Sequence, residues 1–91
     1  MELFNGVGIY EVLEMDKTEM VLVELKKNGY RITSRRKILA EIVMSGKWES
    51  AKEIYYLALK KEPHIGIASV YRFLNALEMC GMISHVYRIN V

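Results

Sequence analysis

Apolar residues recur at helical spacing in four stretches of the chain and alternate strictly in a fifth. In the first stretch Val21, Leu22 and Leu25 share one helical face. Asp16 and Glu19, three apart, form a capping box ahead of it, Lys26 and Lys27 sit where cations suit the negative end of the helix dipole, and Gly29 is a natural stop. A second helix follows the polar pair Thr33 and Ser34, with Ile38, Leu39, Ile42 and Val43 inward and Gly46 at its end. Ser50 and Glu53 match the S-x-x-E capping box, so a third helix runs with Ala51, Ile54, Tyr55 and Ala58 inward until Pro63 prevents continuation. After a short break, a fourth helix is predicted from about Ile67 to Cys80, with Gly81 as its left-handed cap.

Beyond Gly81 the period changes to two. Ile83, His85, Tyr87, Ile89 and Val91 alternate with Ser84, Val86, Arg88 and Asn90, the signature of a strand. At the other end Asn5-Gly6 is a good two-residue hairpin turn, and Val7 to Val12 reads either as extended chain or as a short helix. Three consecutive helices, a closely linked fourth and a terminal strand make a mainly α fold, a winged helix-turn-helix with four helices and a short terminal β-strand or wing, the economical architecture. Residues 1–15 are then an N-terminal extension, a candidate strand or hairpin, and residues 16–91 the winged-helix domain.

Composition narrows the picture without changing it. Ninety-one residues support one core, and 52% hydrophobic with 26% charged residues is an ordinary globular balance. No apolar run approaches the roughly 18 to 20 residues that span a bilayer, and no basic segment followed by an apolar stretch opens the chain, so no membrane association and a cytoplasmic location are expected. One cysteine, Cys80, makes no internal disulfide, and no C-x-x-C pair exists for structural zinc. A net charge of +2 leans basic but falls short of announcing nucleic-acid binding by itself, so the placement of charge has to decide.

That placement centres on the fourth helix. On a helical wheel Ile67, Val70, Phe73, Leu74 and Leu77 form an apolar face, while Ala68, Tyr71, Arg72 and Asn75 fall on the other side. A helix that enters a DNA groove needs small residues where its backbone comes close and hydrogen-bonding or methyl-contacting side chains near its N-terminal end. Ala68, Ser69, Tyr71 and Arg72 fit this need. The bland alternative has Tyr71 packing under the strand and Arg72 as a solvated charge. Arg35, Arg36 and Lys37 open the second helix, where cations oppose the dipole, so an external anion such as a phosphate is a sensible partner.

The segment Ile65-Gly-Ile-Ala-Ser-Val-Tyr-Arg-Phe-Leu-Asn-Ala-Leu-Glu-Met-Cys-Gly-Met-Ile83 resembles the recognition-helix signature of the ferric uptake regulator family. Leu25-Lys-Lys-Asn-Gly-Tyr-Arg-Ile-Thr-Ser-Arg-Arg36 is similar to that family's exit from helix 1 and its T-x-x-R opening of helix 2, and Ser50-Ala-Lys-Glu-Ile-Tyr55 to its S-A-x-x-[LIV]-Y helix. The resemblance implies a DNA-binding winged helix. It implies that Tyr71 touches thymine methyls or a phosphate, that Arg72 reaches a guanine edge or phosphate, and that Arg31 enters an A·T-rich minor groove, against the alternative of a helix-end cation. For Arg36 it allows a phosphate contact or an internal salt bridge. The family's metal-sensing and dimerisation half has no counterpart here: the histidines are His64 and His85, neither beside an evident carboxylate partner, so neither metal nor any other cofactor is expected.

Smaller assignments complete the reading. Trp48, just before the third helix, is expected to pack as a hydrophobic staple, and Cys80 to be a small core residue rather than a redox sensor. A single wing strand would expose its edge and invite a partner. Either the segment from Phe4 to Val12 supplies the second strand, within one chain or across a homodimer, or the chain is part of a longer protein. The leading function is sequence-specific binding to duplex DNA in transcription regulation. A winged-helix module that binds a regulator or polymerase subunit is the alternative, and no catalytic machinery of an enzyme is visible.

Overall fold

In the computed structural model, which describes residues 16–83, the chain is mainly helical and folds into four helices: α1 (Lys17–Lys27), α2 (Ser34–Ser45), α3 (Ala51–Leu59) and α4 (Ile67–Met79). Each of the first three begins on a side chain that the sequence supplies for that purpose. Asp16 accepts the amide of Glu19 at 2.8 Å, Thr33 that of Arg36 at 3.2 Å, and Ser50 that of Glu53 at 3.3 Å. Each bond satisfies one of the donors that a helix start leaves orphaned. At α3 the box is displaced by one residue, because the Glu53 carboxylate accepts from the amide of Glu49.

The C-terminal ends of α1 and α4 are built alike. Gly29 and Gly81 take φ values of 88° and 75°, and the residues after them close back, Tyr30 N–H to the Leu25 carbonyl at 2.9 Å and Met82 N–H to that of Leu77 at 2.8 Å. This six-to-one closure needs a left-handed residue at its corner, where a side chain would clash. Met82 and Ile83 then pack against the core.

α2 packs on α1, α3 and α4, so the core lies around its inner face. Leu25, Leu39, Ile54, Val70, Phe73, Leu74 and Leu77 are fully buried, each worth about 1.5–3 kcal/mol against exposure. Trp48 lies half-buried on this core and donates its indole N–H to the Val43 carbonyl at 3.0 Å, which ties the loop after α2 to that helix's last turn. Cys80 also packs against it, and burial, then the Glu24 carboxylate, pushes its thiol above the ordinary range, away from the reactive thiolate.

Two expectations change. The third helix stops at Leu59, short of Pro63: Lys61 and Glu62 both donate to the Ala58 carbonyl, at 3.0 and 2.8 Å, in a closing turn, and Pro63 has no N–H to offer the Leu59 carbonyl. Ile67, on the apolar side of the wheel, is 37% exposed, since the first turn of α4 projects beyond the core. The expected strand after Gly81 and the N-terminal segment lie outside the described residues. No helix of the described chain is long and apolar enough to cross a membrane.

Candidate nucleic-acid interface

α2 and α4 border a cleft of about 570 Å3. Of the seven residues singled out in the sequence, Arg31, Arg35, Arg36, Ser69 and Arg72 line it. Those from 31 to 36 reach it through the approach to α2 and its first turn, and those from 69 to 72 through the start of α4. Distant in sequence, they meet because Leu39, in the floor of the cleft, is buried in the core that α2 shares with α4.

Two of the four guanidinium groups are held in place. Arg36 donates from Nη1 to the Arg31 carbonyl at 2.6 Å and lies 5.8 Å from the centre of the Tyr30 ring. Its internal partners are thus a carbonyl and an aromatic face, and the salt bridge entertained from the sequence is not formed among the described residues. Arg72 donates from Nη2 to the Ser69 hydroxyl at 3.3 Å, one helical turn back. Arg31 and Arg35 are exposed. A guanidinium carries five donors, so neither held group has used up its fork.

Ala68 is exposed on α4 and does not line the cleft. Tyr71 also lies outside it, half-buried and packed against the core, although the wheel set it opposite the apolar face. The start of α4 itself is bare: Gly66 occupies the cap position and provides no side-chain hydrogen bond.

Sequence reasoning gave no part in the site to four lining residues, Thr33, Ser34, Leu39 and Glu62. Glu62 is the sole carboxylate among the lining residues, held by accepting the His64 amide at 3.2 Å. Its signal was hidden because the third helix was extended across it. Among the described residues, no three His, Cys, Asp or Glu side chains stand close enough to hold a metal ion, and His64 is exposed on a turn. The described residues therefore do not fit a metal-sensing site.

Residues 27–89, more than half of the chain, match the model of the ferric uptake regulator family. The chain belongs to that family. It is 28% identical over 64 residues to the ferric uptake regulation protein of Bacillus subtilis (strain 168), an alignment covering 68% of this chain and 43% of that relative. The chain thus spans less than half the length of the ferric uptake regulator relative it matches. No solved structure matches it significantly. The family match takes in the approach to α2, both capped helices that follow, and α4, and so includes every residue of the cleft.

Proposed function

We propose that this chain is the DNA-reading unit of a transcriptional regulator, a winged helix in which α3 and α4 form the helix-turn-helix. The observation that carries this reading is the convergence of Arg31, Arg35, Arg36 and Arg72 on one cleft at the exposed start of α4. Surface cations usually serve solubility or pair with carboxylates, and four that gather in one cleft between two helices suit a polyanion instead.

In this reading α4 lies in the major groove, with its N-terminal residues toward the bases. Ala68 and Ser69 let its backbone approach. Arg72 takes a guanine edge or a phosphate, and Tyr71, braced from behind by the core, offers its outer edge to a thymine methyl or a phosphate. Arg35 and Arg36 take backbone phosphates, and Arg31 reaches an adjacent A·T-rich minor groove, where narrowness concentrates negative potential. Binding by these residues requires no metal, and a chelator leaves it unchanged.

The test is selection from a random duplex pool at two salt concentrations, with sequencing of the retained fraction. An enriched motif, bound less tightly as salt rises and lost in Tyr71→Ala and Arg72→Ala, is expected, each substitution costing about 1–3 kcal/mol if its contact is base-specific. No enrichment, or retention indifferent to both substitutions and to salt, would move the assignment to a protein-binding winged helix.

A further inference from the structure

Resting on that reading, we propose that the cleft is a discrete pocket for one phosphate group, and that Glu62 at its edge acts as the resident counter-charge that sets the pocket's affinity. Four arginines and one glutamate line it, a formal charge of 4 − 1 = +3. Among the described residues none of the four arginines pairs with a carboxylate. The ion pair Lys61–Glu41, at 3.4 Å across α2 and the end of α3, shows what an ordinary surface cation does in this molecule.

The arrangement is unfavourable without an anion. Like charges repel across the cleft, and Arg35 and Arg36 also face the positive end of the α2 dipole. Nothing in the packing requires it, since no charged side chain among the described residues is buried. An anion reverses each of these terms. The donors approach from two walls, Arg31, Arg35 and Arg36 from the α2 side and Arg72 from α4, which suits a tetrahedral group with oxygens facing both ways. A planar carboxylate would be satisfied by a single fork. The cleft volume leaves room for the sugars on either side of a backbone phosphate, as well as for a free phosphate monoester.

Glu62 faces the same space with its carboxylate fixed by the His64 amide. A fixed negative charge there weakens every anion that enters, so the pocket accepts one only when several guanidinium contacts form together. Glu62→Gln keeps the oxygen that accepts from His64 and removes only the charge.

The experiment is nitrogen-15 NMR titration of the full chain with inorganic phosphate and, separately, with dimethyl phosphate as a mimic of the DNA backbone, at constant ionic strength set by chloride. Saturable shifts centred on Ser34, Arg35 and Ser69, tightened about threefold to tenfold by Glu62→Gln and weakened by a similar factor in Arg35→Gln, are expected from the change of one facing charge. If a duplex of arbitrary sequence displaces dimethyl phosphate, the DNA backbone is the occupant. If phosphate binds in the cleft but duplex neither binds nor competes, the pocket stands, its occupant is a free phosphate, and the DNA reading fails. If duplex is selected by sequence while neither phosphate moves the cleft resonances and Glu62→Gln changes nothing, the pocket is refuted and the DNA reading stands.

Discussion

The four helices fall into two pairs by how their N-terminal ends are built. α1 and α3 start in agreement with helix electrostatics: a capping side chain, then Glu19 or Glu53 in the first turn against the positive end of the dipole. α2 and α4 do not. α2 is capped by Thr33 but opens with Arg35, Arg36 and Lys37, and α4 has neither an acidic first turn nor a side-chain cap. The two that depart are the two whose first turns border the cleft. Local rules are broken where something other than stability is selected, and here the violations are adjacent in space although separate in sequence.

The sharpest way to break this comparison is to make α2 obey the rule. Arg35→Glu removes a cation from the positive end of the dipole and puts an anion there, so stability should rise by about 0.3–1 kcal/mol. The same substitution places a negative charge in the cleft, and duplex affinity should fall at least tenfold, roughly 1.4 kcal/mol. Thermal unfolding beside a DNA titration separates the two. A loss of stability, or an unchanged affinity, would show that the first turn of α2 is built for the fold after all.

Much of this was legible from the chain because caps and stops are local. Asp16, Thr33 and Ser50 each act on an amide three residues away, and Gly29 and Gly81 close turns within six residues, so spacing alone locates them. The end of α3 differs because it is set by a turn in which Lys61 and Glu62 both close on the Ala58 carbonyl, whereas the sequence pattern offers only the proline as a stop. The candidate residues came from the wheel, from the cations that open α2 against its dipole, and from the resemblance. Their convergence could not, since the cleft exists only once α2 lies beside α4, and neither the charge at Glu62 nor the floor at Leu39 has any periodic signature. Tyr71 shows the limit of a wheel, which ranks faces by composition and cannot tell which flank of a polar face will turn toward the core.

A middle-sized effect tests the other pair. Ser50→Ala removes the cap of α3, where the hydroxyl accepts the Glu53 amide, and should cost about 1 kcal/mol of stability in chemical denaturation. Duplex affinity, measured well below the unfolding midpoint, should stay within twofold, because Ser50 does not line the cleft. A larger change in affinity would mean that the start of α3 belongs to the binding surface as well.

The smallest effect concerns Gly66. This residue sits at the α4 cap with φ −99° and ψ 153°, a conformation open to any residue, and a Cβ built there meets nothing within 4 Å. Neither backbone nor packing within the described chain requires glycine, and serine would provide the missing cap. Gly66→Ser should therefore raise stability by a few tenths of a kcal/mol, the usual difference between glycine and serine at that position. In the proposed complex the same Cβ and hydroxyl stand at the end of α4 that approaches the DNA, where absence of a side chain lets a backbone come close to its ligand. Affinity should drop modestly, by about twofold to fivefold, while the selected motif stays the same, since Arg72 and Tyr71 are untouched. A variant both more stable and weaker in binding would place the reason for the glycine outside the protein. One that is more stable and binds as well would leave α4 simply uncapped, and the contrast between the two pairs of helices would then rest on α2 alone.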